Sequence, residues 1–465
     1  MVRIARVAPR VRRDVQSLLA EGDSGRKVLE DYARGIEAMR RRDNGPGDLQ
    51  DPLSWRFQAA IHGLEGIPRS VDHPKLWATC RHNSWFFLPW HRVYLRAFER
   101  IVQHHIGDET WSLPYWDYTK PDDESSRILP EPFRAPQQGN QLHTSERDPD
   151  VNDPDSPTPI PWQFATADDA LKIGQFSLSG EHPEATFAGG VVDDVSPVQS
   201  ARGSLEGIPH GMVHGIVGGE SGLMFAFETA GLDPIFWLHH ANIDRLWDVW
   251  IRLWGADALP GGDAWLGTKF KYFDLDGTKK ELPIGDILAS EELGYAYEST
   301  DPPRHPAVMA VVAEGRPVAV GDARLVGAAS DVPFAQRSDV DIDLEGERQG
   351  LLAAAARETP ARWFLRVEDV RGQSPGTPAY DVYLNDRRVG SIASFGIREA
   401  SQPGDEHGGT GLTDVFDITD VVAGLHDEQA FDPGKVKVTV VPAGLKGEAQ
   451  EGGDVSAGRI SIYAG

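Results

Sequence analysis

The 465-residue chain is expected to form a mainly α, loop-rich helical bundle over residues 1–305, followed by an all-β sandwich over residues 306–465. Three observations carry this expectation. Residues 92–105 and 225–254 repeat apolar side chains at helical spacing, with Val93, Ala97 and Ile101 on one row of the first stretch. A Pro-rich segment, STDPPRHPA, interrupts that texture near residue 300. Beyond it come short β-like runs, WFLRVEDV, YDVYLND, VGSIASF, KVKVTVVPA and RISIYAG, with turn signals between them.

The elements follow in order. Arginines at positions 3, 6, 10, 12 and 13 break any apolar run before it reaches signal-peptide length, and a cytoplasmic setting is expected. No stretch approaches the ~20 apolar residues of a membrane span. WRFQAAIHGLEG reads as a helix ending near Gly63, and Pro89 fits the start of the next one. Residues 120–200 carry too much Pro, Asp and Ser for long elements. In the C-terminal region KVKVTVV alternates as a half-buried strand should.

Composition excludes several classes of function. Lys and Arg total 46 against 71 Asp and Glu, a net charge of −25 that repels phosphate backbones and anionic membranes. No nucleic-acid partner is expected. The one cysteine, Cys80, rules out a disulfide framework, an iron–sulfur cluster and a four-thiolate zinc site.

The 15 histidines carry the chemistry. One group is His62, His82 and His91; the other is His210, His214, His239 and His240. PHGMVHG places His210 and His214 four apart, on nearly the same helical face. His239 and His240 point ~100° apart on a helix, so one of them faces a metal. His240 has Asp244 four residues on, a carboxylate placed to orient its ring, and is the preferred ligand. His239 is then a packing or substrate-side residue. His82 and His91 are nine apart and converge only if no single helix runs through both. A ferritin-like site would need Glu-x-x-His motifs, and a blue-copper site a cysteine farther from its histidine than Cys80 is from His82. Two sets of three imidazoles best suit a pair of copper ions. A zinc hydrolase built on H-x-x-x-H leaves four of the six histidines unexplained and has no glutamate inside the motif.

HNSWFFLPWHRVYLRAFERI, LPYWDYT, PHGMVHG and DPIFWLHHANIDRLW resemble the two copper-binding regions of the tyrosinase, catechol oxidase and polyphenol oxidase family of type 3 copper proteins. The later YFDLDG and LGYAYEST resemble the end of the catalytic domain in plant polyphenol oxidases. YDVYLN, GLTDVFDITDVV and KVKVTVVP resemble the C-terminal domain of latent plant enzymes. The resemblance implies a bundle around a dicopper site, with His62, His82 and His91 on one copper and His210, His214 and His240 on the other. It implies a thioether from Cys80 to His82, a water-holding Glu206, and a bulky gate at Phe227. Gly211 and Gly215 follow ligands on the substrate side, and Phe395 is a candidate plug from a C-terminal cap.

The implied reaction uses O2 to oxidise an o-diphenol or o-aminophenol to an o-quinone or quinone imine. An asparagine at the place of Gly211 helps several family members hydroxylate monophenols, so weak or absent monophenol activity is expected, and Gly211→Asn is expected to raise it. The alternatives are a full tyrosinase and a hemocyanin-like oxygen carrier.

Overall fold

A computed structural model describes residues 9–43, 49–67, 70, 72–180, 182–193, 201–302, 305–315, 323–344, 362–374, 376–402, 409–432, 434–445 and 453–465. The arginines at positions 3 and 6, and Pro303 and Arg304 of the expected linker, lie outside the described residues. The helices that carry or support the candidate site are α1 (Asp23–Arg40), α2 (Trp55–His62), α3 (Phe87–Ile106), α4 (Met212–Gly218) and α5 (Pro234–Trp254). Among the described residues no helix is long and apolar enough to cross a membrane.

The chain divides into two compact units. One comprises Met1–Arg81, Phe86–Thr166 and Ser221–His305; the other comprises His82–Trp85, Ala167–Glu220 and Pro306–Gly465. Residues 82–85 and 167–220, expected to belong to the helical domain, therefore group with the C-terminal region. Polar contacts join these segments. Arg202 donates its backbone N–H to Thr413 O at 2.9 Å, and its guanidinium grips Asp414 at 3.0 and 2.7 Å.

The first unit is built on α3 and α5. Helix α3 buries an apolar face and ends at a left-handed Gly107 (φ 71°), which closes its last turn. Helix α5 starts at Pro234 behind an Asp233 cap whose side chain accepts from Ile235 N. The two helices meet through Phe98 and Trp237, stacked at 3.5 Å with 9° between the rings. Strands β1 (Arg10–Arg12), β2 (Lys269–Phe273), β3 (Lys279–Pro283) and β4 (Tyr295–Tyr297) complete the unit. β1 pairs in parallel with β4, and β2 with β3 as a hairpin.

The second unit holds two four-stranded antiparallel sheets. Their strands are β5 (Arg324–Pro333), β6 (Ser338–Asp343), β7 (Trp363–Arg371), β8 (Ala379–Leu384), β9 (Arg387–Ala393), β10 (Leu412–Asp417), β11 (Lys435–Ala443) and β12 (Ser456–Ala464). The orders are β10-β7-β12-β5 and β6-β11-β8-β9. Leu365, Val367, Ile460 and Ile462 of the first sheet share one core with Val382, Ile392, Val438 and Val440 of the second, which makes the pair a sandwich. The run expected to continue as strand to residue 395 stops at Ala393; Phe395 lies in the following turn, where Gly396 takes φ 86°.

One titrating group in this unit has a defined effect. Burial, reinforced by the Arg366 charge, lowers His182 from 6.5 to about 4. Below pH 6.5 the unfolded chain then binds a proton that the folded chain refuses, so stability falls as pH drops through that window. The full cost below the folded pKa is about 3 kcal/mol. Urea unfolding at pH 7.5 and pH 5 is expected to show the loss in the wild type and a smaller loss in His182→Gln.

Candidate metal centre

In the first unit, Ser54 caps α2 by accepting from Phe57 N, and the helix delivers His62 at its last turn. Gly63 follows because a Cβ there would lie 2.4 Å from Phe227 O. That carbonyl accepts from His62 Nδ1 at 2.9 Å. Phe227 thus holds the ring through its backbone, while its own side chain stands edge-on to it at 5.8 Å. His91, in the second turn of α3, donates Nδ1–H to Phe87 O at 2.8 Å. His240 lies parallel to His91, with centroids 4.4 Å apart and 11° between planes. His62, His91 and His240 are buried, and each offers a ligand nitrogen within 4.8 Å of the others.

His239 is tied to Tyr118: its Nδ1 is 2.9 Å from that hydroxyl, and the ring is fully buried. Burial drives Tyr118 well above the usual tyrosine range, so the hydroxyl stays protonated. Cys80 is a buried thiol whose Sγ donates to His62 O at 2.7 Å.

Asp244 does not orient His240. Its Oδ1 accepts from Arg92 Nε at 2.5 Å, and its Oδ2 from Tyr295 and Tyr297 at 2.6 and 2.5 Å, with Arg12 at 3.4 Å. Spacing of four put it on the right helical face, but two buried guanidiniums and two phenols claim both oxygens. Burial alone would raise Asp244; Arg92 and Arg12 outweigh that and hold it below the usual carboxylate range.

The second unit gathers His82, His210 and His214. Asn83 takes the left-handed φ of 53°, a conformation that asparagine tolerates, and its N–H is 2.9 Å from both Glu206 oxygens. Ile208 is extended (φ −131°, ψ 124°), so the helical path that carries His210 and His214 resumes only at Pro209. His210 donates Nδ1–H to Glu206 O at 3.0 Å. The His210 and His214 centroids are 4.7 Å apart, and His82 is 5.7 Å from His210.

Phe395 sits among these three rings. It stacks on His214 at 4.0 Å and 10°, and meets His210 and His82 edge-on at 5.6 and 6.2 Å. Gly211 and Gly215 are packing positions here. A Cβ at 211 would lie 2.9 Å from Ala393 Cβ, and one at 215 would lie 3.1 Å from Pro378 O. Sequence reasoning missed Tyr118, Asn83, Arg202 and Arg92. Arg92 left a signal, since it adjoins His91 just as Asp244 lies a turn beyond His240. Arg202 left none, because its partner is 212 residues away.

His62, His91 and His210 each spend Nδ1–H on a backbone carbonyl, which fixes the tautomer with the lone pair on Nε2. Neutral imidazoles arranged in this way fit copper.

Comparisons with known proteins agree with that chemistry. The sequence model for the common central domain of tyrosinase matches residues 52–253, and one for a domain of unknown function matches residues 323–465. Tyrosinase HcTyr1 of Hahella sp. (strain CCB-MM4) is 31% identical over 485 residues, covering 94% of this chain and 97% of that one. The chloroplastic polyphenol oxidase of Malus domestica is 28% identical over 386 residues, covering 76% of this chain and only 62% of its own length. The structure of a latent apple tyrosinase superposes with a TM-score of 0.65 at 23% identity, covering 99% of this chain and 98% of that one, and shows the same fold.

Proposed function

The chain belongs to the tyrosinase family of type 3 copper oxidoreductases, which use O2 and two copper ions, and on that premise we propose that it oxidises o-diphenols or o-aminophenols. The products are o-quinones or quinone imines, and monophenol hydroxylation is weak or absent. Residues 1–305 are the catalytic region and 306–465 the cap. His62, His82 and His91 serve one copper; His210, His214 and His240 serve the other. Cys80 and His82 form a thioether that limits rotation of that ring.

The carrying observation is the set of three buried histidines whose Nδ1–H groups are tied to backbone carbonyls. When bound, the copper pair supplies the redox chemistry that couples ring oxidation to O2 reduction. The chain's own residues prepare the ground for it. Phe227, Phe87 and Glu206 hold imidazoles through their carbonyls, so ligand geometry is set before metal arrives. Phe236, 4.3 Å from His240 and 5.0 Å from His62, keeps that side apolar. Glu206 is the candidate proton acceptor, held in place by Asn83 N–H. Phe395 covers His214 where a substrate ring would stack, so the full chain is latent.

A second reading, full tyrosinase, is favoured by the name of the Hahella relative. Metal analysis and oxygen uptake test both. We expect two coppers per chain, uptake with 4-methylcatechol or o-aminophenol that rises with mild SDS, and little uptake with tyramine. Fast tyramine uptake establishes the second reading; two bound coppers with no uptake on any ring overturn the first.

A further inference from the structure

Arg92 uses all its donors. Nε donates to Asp244 Oδ1 at 2.5 Å; Nη1 donates to Ile287 O and Leu288 O at 3.1 and 2.9 Å; Nη2 donates to Asp244 O at 3.3 Å and Asp248 Oδ1 at 2.6 Å. The guanidinium lies 4.0 Å over the Trp247 ring, and the side chain is fully buried. It springs from α3 one residue after His91. It grips α5 at Asp244, one turn after His240, and at Asp248, one turn further on. Those two histidines face each other at 4.4 Å. From the far side, Arg12 ties Asp244 Oδ2 to Glu99 of α3, with Tyr295 and Tyr297 filling the remaining positions.

We propose that Arg92 and Asp244 are positioning residues: their bond sets the register of α3 against α5, and so the separation of His91 and His240. This rests on the reading above, in which His91 and His240 serve different coppers. Register between the helices then becomes spacing between the metals. Lysine cannot replace Arg92. It has three donors on one nitrogen and no planar fork, so it cannot reach the carboxylates and the Ile287 and Leu288 carbonyls together.

A buried arginine of the same kind supplies the control. Arg147 is fully buried and bidentate on Asp233, at 2.8 and 2.6 Å. It supports the N-terminal cap of α5, not the contact beside the histidines. Arg92→Lys and Arg147→Lys are therefore expected to cost comparable stability and to differ at the metal.

The test loads wild type and both variants with copper, confirms two ions per chain by metal analysis, and records the EPR spectrum of the Cu(II) form. Two Cu(II) ions close enough to share a bridging ligand couple their spins and are EPR-silent; separated ions are not. Wild type and Arg147→Lys are expected to be silent. Arg92→Lys is expected to bind two coppers, show an uncoupled Cu(II) signal, and lose at least about tenfold in kcat with KM within about twofold. If Arg92→Lys does not fold, Asp248→Asn, which keeps the shape and weakens one bond, carries the same test with a smaller signal. A silent spectrum and normal kcat in the Arg92 or Asp248 variant overturn the clamp, as does an equal signal from Arg147→Lys. Wild type that does not bind a coupled pair overturns the copper assignment, and the clamp falls with it.

Discussion

Replacing Phe395 by alanine is expected to raise detergent-free oxygen uptake with 4-methylcatechol at least about tenfold, a barrier change of about 1.4 kcal/mol. The expectation comes from where the ring lies. A phenolic substrate that stacks on the His214 imidazole needs the place that Phe395 already takes, at 4.0 Å and 10°. A stacked aromatic contact contributes about 0.5–1.5 kcal/mol beyond the area it buries. Removing a buried phenylalanine also leaves a cavity, a loss of about 3–5 kcal/mol that loosens the turn holding it. Both effects free the imidazole face. Oxygen uptake by copper-loaded protein with and without SDS is the check. The SDS stimulation expected of wild type should shrink toward unity in the variant. Uptake unchanged from wild type, with both coppers bound, would mean that Phe395 belongs to the sandwich core and blocks nothing.

The parts of the fold legible in the sequence are those where one local signal decides. Helix α2 ends at His62 because Gly63 follows, and β11, over Lys435–Ala443, contains the alternating KVKVTVV and runs two residues beyond it. Strands β5 and β6 were not legible. Each is an edge strand, and β6 sets exposed aspartates, poor strand formers that deter pairing with other chains, around Val340 and Ile342. The clustering of buried histidines was legible because their spacing on helices and their apolar surroundings pointed the same way. The true role of Asp244 was not. Helical spacing says which face a carboxylate occupies; it does not say that Arg92, Arg12, Tyr295 and Tyr297 arrive there from distant segments. The same limit hid the contact between Gly211 and Ala393, which lie 182 residues apart in sequence.

That contact changes what a substitution at position 211 should do. On sequence grounds, Gly211→Asn adds a side chain that helps Glu206 and raises monophenol activity. In the folded chain the new Cβ would first meet Ala393 Cβ at 2.9 Å, closer than real Cβ contacts come. Ala393 cannot simply retreat. Its carbonyl accepts from Arg202 at 3.3 and 3.4 Å, and Arg202 is anchored on Asp414 at 2.7 Å. Strain of this kind commonly costs about 1–3 kcal/mol, comparable to the stacking that seats Phe395. Gly211→Asn in the full chain is therefore expected to lower SDS stimulation at least about threefold, equivalent to about 0.7 kcal/mol, by unseating the end of β9. Ala393→Gly alone removes no seat and should leave stimulation near wild type. Combined with Gly211→Asn it removes the clash and should restore latency, a non-additivity that contacting residues show and distant ones do not. Tyramine uptake by the double variant in SDS then isolates the chemistry from the packing. A gain over Ala393→Gly means that the missing asparagine limits monophenol hydroxylation. No gain means that glycine stands at 211 because the chain end of β9 lies against it, and the substrate preference is set elsewhere. Latency that survives Gly211→Asn without the second change would show that β9 yields at Ala393 despite its hold on Arg202.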